Sequence, residues 1–111
     1  MAATITLDPW CIGDDETVAV YIYSDAAATT PVDITGRTYT LSVATARGAT
    51  PTLALTGTVT GASGLVTFAA TDTQTTALTA GTYAFDVVEV SGSNESTIIL
   101  GSVPVVQRVT V

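Results

Sequence analysis

The sequence contains no histidine and no lysine, and it has a single cysteine among its 111 residues. Without histidine, the catalytic groupings that pair a histidine base with a serine or cysteine nucleophile are excluded, as are most transition-metal sites. Without lysine, the chain has neither a phosphate-binding P-loop nor a Schiff-base nucleophile. We therefore expect no catalytic residues, no cofactor-binding residues and no metal ligands, and we expect the chain not to be an enzyme.

Charged residues are scarce, at 12% of the chain, and their balance is acidic, with a net charge of −7. The only basic residues are Arg37, Arg47 and Arg108. Nucleic-acid binding usually requires a basic surface, and an acidic chain is repelled by anionic membranes, so we expect neither partner. The first residues lack the pattern of a secretory signal, and no stretch approaches the ~20 apolar residues of a membrane span. We therefore expect synthesis in the cytoplasm without a signal peptide.

Two features near the N-terminus leave alternatives open. Cys11 has no second cysteine with which to form an internal disulfide, so it is a small buried apolar residue, a cross-link between subunits or a reactive thiol. Asp14, Asp15 and Glu16 form either a solvated acidic turn or part of a calcium site. They lack the spaced oxygen ligands of a dedicated calcium loop.

Threonine and alanine dominate the composition, with 23 and 16 copies. Apolar and polar residues alternate in short segments, which is typical of half-buried β-strands. The predicted strands cover residues 4–7, 17–24, 38–43, 53–60, 65–70, 82–91 and 97–111, the last as one strand or as two broken at Pro104. Gly57 predicts a bulge or kink within its strand. Residues 61–64 and 92–95 are predicted hairpin turns.

Residues 71–80 are the only helix candidate, with Thr71 or Asp72 as the N-cap and Gly81 as the end. Strands joined by turns at about ten-residue spacing indicate an antiparallel sandwich rather than alternating strands and helices.

The pattern of Leu78, Gly81 and Tyr83 resembles the tyrosine corner of immunoglobulin-like domains, in which a tyrosine hydroxyl bonds back to the chain just upstream. The alternative is that Tyr83 is an ordinary core residue. With this resemblance, the expected fold class is an all-β, antiparallel immunoglobulin-like β-sandwich of seven or eight strands. It contains at most one short helix and forms a single domain over residues 1–111.

Four blocks of sequence are similar, in order and spacing, to immunoglobulin-like domains of phage virion proteins. They are GDDETVAV at 13–20, TPVDITG with YTLSV at 30–43, GLVTF with Leu78 and GTYAFDV at 64–87, and IILG at 98–101. The most similar domains are the N-terminal-like domains of baseplate upper proteins and those of tail-fibre adaptors. The resemblance implies a virion structural role in which symmetric copies pack against tail, baseplate or capsid proteins, and it brings no catalytic residue or cofactor. Members of this family often carry more lysine and arginine.

We therefore expect a non-enzymatic assembly module of a phage tail or baseplate, located in the virion. One alternative is a capsid decoration (cement) protein on the phage head, and another is a carbohydrate- or receptor-binding β-sandwich. The candidates for partner contact are Trp10, Tyr21 and Tyr23. Trp10 could equally close the bottom of the core, whereas both tyrosines point outward if Val18 faces the core. The terminal strands, 4–7 and 105–111, are candidates for strand addition from a neighbour.

Overall fold

The computed structural model describes residues 3–23 and 31–107 of the chain. They contain nine strands, one α-helix and one 3-10 helix. The strands are β1 (Ala3–Thr6), β2 (Trp10–Cys11), β3 (Glu16–Tyr21), β4 (Thr38–Ala44), β5 (Leu53–Thr56), β6 (Thr58–Thr60), β7 (Leu65–Ala70), β8 (Gly81–Ser91) and β9 (Asn94–Val106). The 3-10 helix covers Gly61–Ser63, and α1 covers Asp72–Thr76. The predicted all-β class with one short helix is confirmed.

The strands form two sheets packed as a sandwich. Sheet one has the order β1-β9-β8-β4-β5, with β2 also paired to β9, and sheet two has the order β3-β7-β6. Most neighbours are antiparallel, but β1 and β2 both run parallel to β9. The two parallel pairings and the two-residue strand β2 were not expected from the local sequence pattern.

The core lies between the sheets and consists of side chains of one parity from each strand. Sheet one contributes buried aromatic and aliphatic residues from its central strands, namely Tyr39, Leu41, Val43, Tyr83, Phe85 and Val87. Sheet two contributes Val18, Val66 and Phe68 from β3 and β7. The alternation seen in the sequence is thus the alternation between core and outer face.

Gly57 is the point at which the chain passes from one sheet to the other. The preceding strand β5 pairs with β4 in sheet one, and the following strand β6 pairs with β7 in sheet two. A Cβ atom at Gly57 would lie 2.5 Å from Cγ1 of Val66, so only glycine fits this crossing without a shift. The segment predicted as one kinked strand is therefore two strands. Together with β2, this division makes the strand count nine rather than seven or eight.

The last strand begins three residues earlier than the sequence suggested and is a single strand rather than two. It begins at Asn94, because Gly92 and Ser93 alone form the hairpin loop, with Gly92 at φ 62°. It also continues through Pro104. Ser102 before it pairs with β1 and Val105 after it pairs with β2, so Pro104 itself has no parallel partner that would need the N–H group that proline lacks. Residues 108–111 of the predicted strand lie outside the described residues, as does Ser24 of the second.

The short helix α1 is closed at its start by a capping box. The Thr71 hydroxyl accepts a hydrogen bond from the Gln74 N–H at 3.2 Å, and the Gln74 side chain accepts one from the Thr71 N–H at 2.9 Å. In the part of the chain that the structure describes, no helix is long and apolar enough to cross a membrane.

Candidate functional site

The corner before β8 contains a hydrogen bond between a tyrosine hydroxyl and the chain just upstream, as a tyrosine corner requires. Tyr83 is buried, and its hydroxyl oxygen accepts a hydrogen bond from the backbone N–H of Thr79 at 3.0 Å. The Thr79 hydroxyl lies 3.1 Å from the same oxygen. Leu78 is buried beside this corner, and Gly81 begins β8 at φ 150°. This group of residues fixes the path of the backbone and offers no reactive group to the solvent.

A second polar group ties β4 to β8. The buried Tyr39 hydroxyl donates a hydrogen bond of 2.5 Å to Oε2 of Glu89, and Nη1 of Arg37 lies 3.4 Å from the same oxygen. Burial, and then the hydrogen bond to the Glu89 carboxylate, raise the pKa of Tyr39 to about 12. The phenol is therefore held neutral and acts as a structural donor rather than a base.

The acidic turn after β2 is held against α1 by Thr75, a residue that the sequence pattern did not indicate as a candidate. The fully buried Thr75 hydroxyl accepts a hydrogen bond from the Gly13 N–H at 3.1 Å and donates one to the Asp14 carbonyl at 2.7 Å. The Asp15 carboxylate accepts a hydrogen bond from the Asp72 N–H at 2.7 Å. Because Gly13 and Thr75 are 62 residues apart, no local signal could have indicated this contact.

Cys11, Asp14 and Glu16 form the one group of potential metal ligands found among the described residues, with ligand atoms within 4.8 Å of one another. A carboxylate oxygen of Glu16 already accepts a hydrogen bond from the Cys11 N–H at 2.9 Å. Two carboxylates and a thiol do not supply the about six oxygen ligands that calcium requires. The alternatives for this turn were a solvated acidic turn and part of a calcium site, and its hydrogen bonds to α1 add a structural role to it. Cys11 itself is only partly buried.

The three candidates for partner contact occupy different places. Trp10 is 3% exposed and belongs to the core, so its position fits the core alternative. Tyr21 and Tyr23 are exposed, at 56% and 38%, and their ring centroids lie 6.3 Å apart in a stacked arrangement. The two tyrosines therefore form an aromatic patch on the surface, at the end of β3.

The outer side of sheet two, which we call the sheet-two face, carries no charged residue. Its members alternate with the core residues of β3, β6 and β7. They are Thr17, Ala19, Tyr21, Thr58, Thr60, Leu65, Thr67 and Ala69. The face therefore presents only hydroxyl, methyl, leucine and tyrosine side chains.

The sandwich is open on the side where β3 ends sheet two and β1 and β2 end sheet one. A groove of about 300 Å³ lies there, which we call the open groove. Apolar side chains of Leu7, Trp10 and Val18 line it, together with the carboxylates of Asp8 and Glu16. The terminal segment 4–7, a candidate edge strand for strand addition, includes most of β1, which pairs with β9 and ends sheet one.

The comparisons with known proteins do not extend this description. No protein-family model matches the chain, and no curated protein matches it. The role of the sheet-two face, of the aromatic patch of Tyr21 and Tyr23, and of the open groove therefore follows from their own geometry and charge.

Proposed function

We propose that the chain is a non-enzymatic structural protein of a phage virion. It is an immunoglobulin-like assembly module of the tail or baseplate, present in several symmetric copies, that packs against neighbouring virion proteins. The observation that carries this proposal is the uncharged sheet-two face. The order of the four sequence blocks and the two-sheet architecture support it.

The physical argument concerns the cost of removing water from a surface. A sheet exposed on one side usually presents polar and charged residues to the solvent, and charges are costly to bury unless they are paired. The cores of protein–protein interfaces are correspondingly depleted of charged residues and enriched in tyrosine. The sheet-two face matches this composition in its lack of charge and in Tyr21, around which Thr17, Ala19 and Thr67 offer methyl and hydroxyl groups.

The test is quantitative mass spectrometry of purified phage particles that incorporate the chain. A few to a few dozen copies per particle support the tail or baseplate module. Hundreds of copies would replace it with a capsid decoration protein. Absence from intact particles would overturn the virion proposal altogether.

A pair of matched variants tests the face itself. Thr67→Glu places a charge on β7, the central strand of the sheet-two face, whereas Thr40→Glu places the same charge on the exposed outer side of β4 in sheet one. We expect Thr67→Glu to lower incorporation by about tenfold or more, and Thr40→Glu to leave it nearly unchanged, because burying an unpaired charge is costly. Equal incorporation of both variants would contradict the assignment of this face.

A further inference from the structure

We infer that the outer edge of β3 is an attachment point for an extended segment of a neighbouring virion protein, which adds to sheet two as a further strand. The segment alternates β-branched residues and carries at least one arginine or lysine. The inference rests on the proposed function for the kind of neighbour, and it adds the surface, the binding mode and the chemistry of the partner.

The outer edge of β3 has the capacity to form further main-chain hydrogen bonds. Among the described residues, β3 pairs with β7 alone, so one side of it has no strand partner. The Ile22 N–H donates to the Gly64 carbonyl on the β7 side at 2.8 Å. Because antiparallel pairs alternate, the N–H and C=O groups of Thr17, Ala19 and Tyr21 point away from β7. An added strand would satisfy these groups by main-chain hydrogen bonds.

The open groove leaves space for a further strand beside this edge. The open groove runs along Thr17–Ala19 on one side and Leu7–Trp10 on the other. Its more exposed apolar members, Leu7 and Pro9, offer contact to the inward side chains of an added strand, above the buried Trp10 and Val18. β-branched side chains suit this position, because they fit a half-buried pleated surface. The outward side chains of the same strand would lie beside the exposed ring of Tyr21.

The open groove is acidic, because Asp8 and Glu16 line it. The two arginines of the described region are bonded elsewhere, Arg37 to Glu89 and Arg47 to the carbonyls of Phe85 and Gly101. A basic side chain on the incoming segment would be attracted to this side of the molecule, whereas an acidic one would be repelled. A second copy of this chain, which is itself acidic, matches the groove less well.

The experiment uses the full chain and a designed peptide of about seven residues that alternates valine and threonine and has an arginine at each end. Amide proton–nitrogen NMR is recorded during titration to about 1 mM peptide. We expect the amide resonances of Thr17, Ala19 and Tyr21 to shift and their hydrogen exchange to slow. No change at these three amides would overturn the inference.

Two peptide controls separate strand addition from simple contact. A peptide with glutamate in place of arginine should bind about tenfold more weakly, because the groove is acidic. A peptide N-methylated on alternate residues, which cannot donate from that edge, should lose binding. Equal binding of the N-methylated peptide would rule out an added strand.

Matched protein variants test the charge. Asp8→Lys should weaken binding of the arginine peptide by about fivefold or more. Glu95→Lys makes the same change of charge at a distant place. Glu95 lies ten residues along β9 from Val105, the partner of Trp10 in the groove, which is about 33 Å away, so this variant should have little effect. Equal effects of both variants would overturn the charge argument.

A second copy of the chain is a different possible occupant of the β3 edge. Protection of the same amides in the peptide-free chain, rising with protein concentration, would identify a second copy as the occupant and overturn the partner that we propose. Copy number in particles is measured independently, so a failure here leaves the proposed function to its own test.

Discussion

Gly101 of β9 faces the backbone of Ile5 of β1 so closely that a Cβ atom at position 101 would overlap the Ile5 carbonyl oxygen. The same Cβ would lie 2.7 Å from Cε1 of the buried Phe85. Gly101 pairs with Phe85 on one side and with Ile5 on the other. The close approach of the first strand to the last therefore depends on a hydrogen atom in place of a side chain.

Gly101→Ala is the first prediction. We expect a loss of about 3 kcal/mol in the free energy of unfolding, because a rigid backbone carbonyl cannot move aside without breaking the sheet. Gly57→Ala is the matched control, since its Cβ would meet the side chains of Val66 and Phe68, which can repack. The control should cost less, about 1–2 kcal/mol. Urea unfolding of both variants checks the order, and a larger loss for Gly57→Ala would contradict it.

The second prediction concerns the tyrosine corner. Tyr83→Phe removes the acceptor for the Thr79 N–H and should lower the free energy of unfolding by about 1–2 kcal/mol. Tyr21→Phe deletes the same hydroxyl from an exposed ring and should change it by about 0.5 kcal/mol or less. Chemical denaturation measures both values. Indistinguishable variants would show that the corner hydrogen bond contributes little.

The third prediction concerns the contact between the acidic turn and α1. Thr75→Val keeps the shape of the side chain but leaves the Gly13 N–H without its acceptor and the Asp14 carbonyl without this donor. We expect a cost of about 1–3 kcal/mol and faster hydrogen exchange in the turn. Thr73→Val, on the exposed side of the same helix, is the control and should cost about 0.5 kcal/mol or less. Unchanged exchange at Gly13 in Thr75→Val would argue against the docking role.

The fourth prediction is a loss of stability at alkaline pH. The pKa of Tyr39 is about 12 in the fold and 10.0 in an unperturbed tyrosine. Because the folded value is the higher one, the stabilisation is complete below pH 10 and is lost as the pH rises through 12. The loss attributable to this phenol should reach about 2 kcal/mol. Tyr39→Phe should lack this part of the pH dependence, as urea unfolding between pH 8 and about 12 would reveal. Parallel profiles for the two proteins would exclude Tyr39 as the source.

Much of the fold could be predicted from the sequence because strand periodicity is local. The alternation of Tyr39, Leu41 and Val43 placed one side of β4 in the core, where the structure buries it. The hairpin near residues 92–95 and the N-cap of the helix at Thr71 were also visible, since turns and caps depend on a few neighbouring residues. These predictions are confirmed, but the predicted helix end at Gly81 is wrong, because α1 ends at Thr76 and Gly81 begins β8.

The remaining features depend on contacts between distant parts of the chain. Nothing near Trp10 indicates that it pairs in parallel with Val105, and nothing near Gly57 indicates that the chain changes sheets there. For the same reason, the open groove was not foreseen, because it exists only where Leu7 and Val18 from two different sheets come together. Local periodicity assigns a side chain to a face, whereas these features require knowledge of which strands become neighbours.

The parallel pairing of β1 and β2 with β9 has a mechanical consequence. Four residues of β1 and two of β2 pair one after the other with residues of β9, from Ala3 opposite Ile99 to Cys11 opposite Val106. Opposed pulling at Ala3 and Val106 would slide these strands along each other, so that the inter-strand bonds share the load instead of opening one after another. Stretching single molecules held at these two positions should therefore require a higher rupture force than holding them at Gly81 and Val105, the open end of the β8–β9 hairpin, where the pairs unzip one after another. An equal force in both geometries would contradict this expectation.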